Sequence, residues 1–400
     1  MTSHTETANT GAAHTGNSGN PALITADRAT RARRTLRLCT AGSVDDGKST
    51  FVGRLLHDTK NILADQYEAV VASSQARGQE NPDLSLLVDG LRAEREQGIT
   101  IDVAYRYFAT DVRSFILADC PGHEQYTRNT VTGMSTAEAV VVLIDARNGV
   151  VTQTKRHATV ASLLGVRHVI FAVNKIDLLG YSEEAFRAIE SDAKALAERL
   201  GLDNTFVVPV SALVGDNIVD HSEHTPWYEG PTVLELLENL DIGADLAADA
   251  ESPLRLPIDY VIRDHATEYR GYAGRIATGS VRIGDSVAVG GGRVGEVTRI
   301  TVAAEDVEEA VAGQSVAVSL DTEFDLARGD LISADAGSGA GRPEDVRRFS
   351  AVAVHLSDKP LAVGRVVEVR YGAALVRGRI ASVDALIDIE TGEPTGAPTS

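Results

Sequence analysis

The octapeptide Gly42-Ser-Val-Asp-Asp-Gly47-Lys48-Ser49, set directly after the apolar run LRLCTA, constrains this chain more than any other feature. It matches G-x-x-x-x-G-K-[ST] and stands between a predicted strand and a helix predicted from Lys48, the context in which such a loop cradles phosphates. Gly42 and Gly47 permit the backbone angles that turn successive amides toward an anion, and the helix start adds partial positive charge. Lys48 is placed to reach the β- and γ-phosphates, and the Ser49 hydroxyl to ligate Mg²⁺. Gly42, Ser43, Val44, Asp45, Asp46, Gly47, Lys48, Ser49 and Thr50 form the expected phosphate-binding set. Alone, this loop does not separate a kinase, an ATPase and a GTPase.

Later elements make that separation. Asp119-Cys120-Pro121-Gly122-His123 ends the apolar strand SFILAD. An acid there can hold the Mg²⁺ shell through water, and Gly122 offers an unhindered amide to the γ-phosphate. Hydrolysis needs a water aligned with that phosphate, and His123 is the natural residue to position it. Asn174-Lys175-Ile176-Asp177 closes the strand VIFAVNK, at the carboxyl edge of the sheet where nucleotides bind in such folds. The Asp177 carboxylate can accept from the imino and exocyclic amino groups of guanine, whereas adenine would leave it unpaired. Ser211-Ala212-Leu213 follows the strand FVVPV and can supply a backbone amide to the guanine carbonyl. Upstream, Glu94-Arg-Glu-Gln-Gly98-Ile99-Thr100-Ile101 is a polar loop entering a β-branched run. Thr100 is the candidate to place a hydroxyl on Mg²⁺ and an amide on the γ-phosphate in the triphosphate state. By itself the same segment would read equally well as a charged helix end before an edge strand. Lys48, Thr100 and His123 are the expected catalytic residues, and Ser49, Thr100 and Asp119 the expected metal set.

The rest of the chain alternates apolar strands and amphipathic stretches up to about residue 242, the rhythm of a mostly parallel sheet flanked by helices. In EEAFRAIESDAKALAERL, Phe186, Ile189, Ala193, Leu196 and Leu200 make one apolar stripe. Residues 253–334 turn to short β-branched, Gly-punctuated runs such as ATGSVRIGDSVAVGGGRVGEVTRITV, which read as an antiparallel barrel. FSAVAVHL, VGRVVEVRYG and ALVRGRIASVD predict a third, partial barrel over 346–388. Residues 1–33 and 389–400 are polar and lack apolar periodicity, so both are expected to be disordered tails.

A formal charge of −19, from 57 acidic and 38 basic residues, opposes unspecific attraction to nucleic acid or anionic membranes. No apolar stretch is long enough to cross a bilayer and the N-terminus carries no secretory pattern, so the expected compartment is the cytoplasm. Cys39 and Cys120 read as packing residues with no redox role. His221-Ser-Glu223-His224 reads as a solvated loop and not a metal cage, Trp227 as a packing anchor, and His157 and His168 receive no chemistry.

The QGITI, DCPGH and NKID elements and the two following barrels resemble the translation-factor class of GTPases. Within it, GSVDDGKST, LLVDGLRAEREQGITIDVAYRYF, PGHEQYTRN and DYVIRDHATEYRGYAGRIATGSVRIGDSV are similar to the GTPase subunit of bacterial sulfate adenylyltransferase, from about Arg34 to about residue 385. Elongation factors usually show His where Ser43 and Asp46 stand here. The resemblance implies an α/β P-loop GTPase domain (34–242), then two small antiparallel β-barrels, the last incomplete. It implies GTP hydrolysis, with Mg²⁺, while a smaller catalytic subunit joins ATP and sulfate into adenosine 5′-phosphosulfate and pyrophosphate. It further implies a monovalent cation beside Asp45, and an apolar screen around His123 from Val44 and Ile99. Cys120 stands where that family commonly has Thr. A translation elongation or release factor, a GTP-dependent switch without turnover and a P-loop kinase are the other readings. The kinase explains neither NKID nor DCPGH.

Overall fold

The computed structural model describes residues 35–76, 78, 82–88, 102–123, 126–242, 252–264, 269–290, 293–303, 305–335, 343, 344, 346–357, 359–388, 391 and 393–397. Thr100 with its neighbours Glu94–Ile101, the N-terminal tail, and most of the stretches expected to divide the domains lie outside them. The chain divides into two compact units, one of residues 1–147, 172–186 and 208–238, the other of 148–171, 187–207 and 239–400.

Six strands order as β2-β3-β1-β4-β5-β6: β1 Leu36–Ala41, β2 Ala104–Ala109, β3 Ser114–Asp119, β4 Ala139–Asp145, β5 His168–Asn174 and β6 Asn204–Pro209. β1 lies between β3 and β4 and runs parallel to both, with Cys39 beside Ala118 and Thr40 beside Asp119. Every residue of β4 and β5 is buried, the mark of strands covered on both faces, and it explains their near-continuous apolar sequences. β2 is antiparallel and sits at the edge, where AYRYFA alternates between exposed positions and half-buried or, at Phe108, buried ones.

The helices are α1 Lys48–Asp58, α2 Ala64–Ala76, α3 Thr127–Met134, α4 Thr152–Leu163, α5 Glu183–Arg199 and α6 Val233–Asn239. α1 starts at the residue expected, behind Gly47 at φ 89, and buries Phe51, Val52 and Leu55. The stripe read from α5 is buried at Phe186, Ile189, Ala193 and Leu196. Among the described residues no helix is long and apolar enough to cross a membrane.

Beyond residue 252 the strands are antiparallel. β7 Arg255–Pro257, β8 Tyr260–Asp264, β9 Tyr269–Arg275, β10 Ser280–Arg282, β11 Ser286–Ala288, β12 Val294–Val302, β13 Glu305–Val307, β14 Glu309–Val311, β15 Ser315–Leu320 and β16 Leu331–Ala334 make this region. The main sheet orders as β7-β16-β11-β12-β15-β9-β8, and β10 pairs separately with β14. Arg255 donates its amide to Thr278 and accepts from Ala277, just past β9, so the β7 edge returns to the β9 segment and the sheet closes. Tyr272, Ile300, Val318 and Ile332 lie in its core, and the Tyr272 hydroxyl donates to the Phe324 carbonyl at 2.8 Å.

Only two of the three strands expected after residue 346 form: β17 Val366–Tyr371 and β18 Ala374–Arg379, paired as a hairpin. FSAVAVHL over 349–356 forms no strand and is exposed throughout. A β-prone sequence makes no ladder without a neighbour to take its backbone bonds, and propensity alone had suggested one. β19 Leu386–Ile387 pairs with β20 Pro394–Thr395, so part of the polar segment read as a disordered tail carries a short ladder.

Candidate nucleotide site

The phosphate loop is tied to itself. The buried Lys48 ammonium donates to the carbonyls of Gly42 at 2.9 Å and Ser43 at 2.6 Å, adjacent residues at the start of the loop. Asp46 folds back so that its carboxylate accepts from the Ser43 amide at 2.5 Å, while its own amide donates to the Ser43 carbonyl. Asp45 adopts φ 66, left-handed like Gly47, and its side chain is exposed as is Val44. Burial pulls the Lys48 ammonium below its ordinary value and pushes the Asp46 carboxyl above its own. Ser49 and Thr50 are half-buried in the first turn of α1.

Because β1 and β3 run parallel, the Asp119–His123 loop leaves the sheet at the same edge as the phosphate loop. Asp119 is fully buried and its Oδ1 accepts from the Thr40 hydroxyl at 3.0 Å. A Cβ on Gly122 would overlap the Lys48 ammonium and stand 2.6 Å from the Gly42 carbonyl, so this glycine brings two loops into direct contact. Thr130 of α3 clamps the Pro121 carbonyl at 2.9 Å. His123 is half-buried, its ring 6.0 Å from that of Tyr126 and edge-on to it. Cys120 and Cys39 meet with sulfurs 3.3 Å apart, both fully buried; the thiol contact first and burial second push Cys39 above its ordinary value. Such a thiol at Cys39 is a poor nucleophile, in keeping with a packing role.

Asn174 joins three loops. Its Nδ2 donates to the Asp46 carbonyl at 2.7 Å, and its Oδ1 accepts from the Ala212 amide at 2.9 Å, 38 residues away. Lys175 crosses to the Asp45 carbonyl and to Asp145 Oδ2 at 2.9 Å. Ile176 donates its amide to the Val210 carbonyl, and Ser211 to that of Asp216. Asp177 is half-exposed as a residue, yet its Oδ1 is buried and has no hydrogen-bond partner among the described residues. A buried carboxylate oxygen in that condition suits a donor from a ligand, which is the chemistry of guanine's imino and amino groups. Ser211 and Ala212 are buried and Leu213 is exposed.

Four residues that motif spacing does not single out hold this arrangement. Arg54 of α1 donates to the carbonyls of Ala212 at 3.3 Å and Leu213 at 2.5 Å. Asp145, at the end of β4, takes Lys175 and a forked pair of bonds from Arg147; burial opposes its charge, yet these cations hold it well below the usual carboxylate range. Tyr181 and Asp216 bond each other beside the NKID turn. An acid ending an apolar strand next to the NKID strand was the signal available for Asp145; the others carried none. Trp227 is an anchor, packed 5.3 Å from Phe186, and His224 and His221 pair with Asp216 and Glu235. The buried His157 contacts Gln153 at 3.2 Å. Among the described residues no cluster of His, Cys, Asp and Glu could hold a metal ion. Hydroxyls with one acid, as at Ser49 and Asp119, suit a hard cation that keeps water and phosphate oxygens as its other ligands.

The model of the elongation factor Tu GTP-binding domain matches residues 33–244. "Sulfate adenylyltransferase subunit 1" of Shewanella oneidensis is 47% identical over 359 residues, covering 89% of this chain and 72% of the relative. The chain belongs to this family. The protein of the same description from Laribacter hongkongensis is 48% identical, with 90% and 74% covered. The "Bifunctional enzyme CysN/CysC" of Mycobacterium tuberculosis is 48% identical over 363 residues, and this chain spans 58% of it. Among solved structures, the Saccharomyces cerevisiae Ski7 GTPase-like domain bound to GDP and inorganic phosphate has a TM-score of 0.52 at 19% identity, covering 94% of this chain and 90% of that one. That likeness shows the shared fold of a GTPase domain with β-domains behind it.

Proposed function

We propose that this chain is the GTP-hydrolysing subunit of a sulfate adenylyltransferase, coupling GTP turnover to adenosine 5′-phosphosulfate synthesis by a smaller catalytic subunit. The observation that carries the reading is the 47% identity to a relative of that description, which continues past the GTP-binding domain to cover 89% of the chain. The sulfate–phosphate anhydride is less stable than the ATP linkage it replaces, so its formation gains from a second hydrolysis. Such a role belongs with the nucleotide pools of the cytoplasm.

In this reading the residues divide the work. The loop from Gly42 to Thr50 binds the phosphates, with Lys48 swinging from its carbonyl partners to the β- and γ-oxygens. Asp177 reads the guanine edge, Lys175 lies along the base, and the Ala212 amide faces the guanine carbonyl. Ser49 and Thr100, with Asp119 through water, would hold Mg²⁺, which supplies charge neutralisation on the phosphate oxygens when bound. His123 orients the attacking water, so that its oxygen bonds the γ-phosphorus as the bond to the β–γ bridging oxygen breaks. The exposed Asp45 carboxylate would hold a monovalent cation beside the phosphates, making hydrolysis faster in potassium or sodium than in a large organic cation.

The test is co-purification with the smaller catalytic subunit and an assay of pyrophosphate release from ATP and sulfate. The expected result is strong stimulation by GTP and none by a non-hydrolysable analogue. Pyrophosphate release at the same rate with and without GTP would overturn the assignment.

A further inference from the structure

Tyr181 has the backbone of a glycine. Its φ is 58, following Gly180 at φ 59, and a bulky side chain in the left-handed region is retained only where its surroundings enforce it. Those surroundings grip it at three points. The hydroxyl donates to Asp216 Oδ2 at 2.9 Å, the ring stacks on His224 with centroids 4.7 Å apart, and the carbonyl accepts from Trp227 Nε1 at 3.1 Å. The amide of Tyr181 donates to the Ile176 carbonyl at 3.0 Å, inside the Ile176–Leu179 turn that carries Asp177.

Asp216 connects this grip to the opposite wall of the base site. Its carboxylate accepts from the Ser222 hydroxyl at 2.7 Å, and its carbonyl accepts from the amide of Ser211 at 3.2 Å. One acid therefore ties the turn bearing Asp177 to the loop bearing Ala212. The buried, unpartnered Asp177 Oδ1 lies on the first of these arms. A carboxylate distinguishes guanine only when both its oxygens meet their donors at once, so a small rotation of the turn loses one bond and keeps the other.

We propose that Tyr181, clasped by Asp216, His224 and Trp227, is the positioning residue that sets how strongly Asp177 discriminates guanine from a base lacking the 2-amino group. The proposal rests on Asp177 reading the base. Its readout is the ratio of GTP to inosine triphosphate affinity, since inosine triphosphate lacks only that amine. A residue that merely stabilises the fold changes both affinities together.

Affinities for both nucleotides are measured by titration on the full chain for wild type, Tyr181→Phe, Asp216→Asn and Asp177→Asn. Tyr181→Phe keeps ring and backbone and deletes one hydrogen bond, so the expected result is a preference for GTP reduced roughly three- to tenfold, mainly through weaker GTP binding. Asp216→Asn should reduce it in the same direction. An unchanged ratio in Tyr181→Phe, with the preference collapsed in Asp177→Asn, overturns the clasp and leaves the base site standing. A ratio that survives in Asp177→Asn overturns the base site and the clasp with it.

Discussion

The phosphate half and the base half of the site are built in opposite ways. Between Gly42 and Lys48 the loop closes on itself: Lys48 takes the carbonyls of Gly42 and Ser43, and Asp46 takes the Ser43 amide. The base half has local turns too, Tyr181 onto Ile176 and Ser211 onto Asp216, but its loops are joined to one another by long-range bonds. Asn174 reaches Ala212 and Asp46, Lys175 reaches Asp145, and Arg54 holds Ala212 and Leu213 from 158 and 159 residues away. A contiguous octapeptide can carry its own geometry, whereas a pocket assembled from distant loops depends on residues that touch no ligand. Damage to the first should weaken every nucleoside triphosphate alike, and damage to the second should alter the choice among them.

The largest effect expected is that of Gly122→Ala. Its Cβ meets the Lys48 ammonium and two backbone atoms of the phosphate loop, and backbone does not move aside cheaply. Affinity for GTP and inosine triphosphate should fall together by roughly a hundredfold or more, the scale expected for losing charge-assisted phosphate contacts, and titration of both would show it. A selective loss of GTP would erase the distinction between the two halves. His123→Ala should leave GTP affinity and thermal stability near wild type while partner-stimulated single-turnover hydrolysis falls roughly a hundredfold. If affinity fell with rate, His123 would be a packing residue of its loop.

Asp145→Asn comes next, because it strips Lys175 of a buried anionic partner 2.9 Å away. GTP affinity should drop by roughly tenfold, the value of a hydrogen bond to a charged group. The pH dependence sharpens this. The Asp145 carboxyl is held below its ordinary value in the folded chain, so its contribution to stability is complete above about pH 4 and fades as pH falls through the depressed folded value. The melting-temperature gap between wild type and Asp145→Asn should therefore stay level from about pH 5 to 8 and narrow only in strong acid. A gap that widened on acidification would reverse the assigned sign. Cys120→Thr is the smallest effect: it adds a methyl and exchanges thiol for hydroxyl in a buried site beside Gly133 and Cys39, and should cost about 1–3 kcal/mol in chemical unfolding without changing nucleotide preference.

The same division explains what could be read before the fold was known. Gly42 to Thr50, Asp119 to His123 and Asn174 to Asp177 are contiguous runs whose expected place at a strand end the fold bears out. β4 and β5 were equally legible, since AVVVLID and HVIFAVN are apolar enough to mark strands buried on both faces. FSAVAVHL misled, because β propensity says nothing about whether a neighbouring strand exists. Tyr181 and Asp216 were invisible for a related reason: their roles come from φ 58 at one residue and from bonds across a 35-residue gap. The Cys39–Cys120 contact spans 81 residues, and only the register of β1 on β3 brings it about.

The most direct test of a base site separate from its phosphate loop is the nucleotide preference of Asp177→Asn. An amide at that position can donate to the carbonyl that xanthine carries in place of guanine's amine. Affinities for GTP and xanthosine triphosphate should exchange order in this variant, with the phosphate contacts keeping XTP binding near the wild-type strength for GTP. Retained preference for GTP would remove Asp177 from the base and contradict the account.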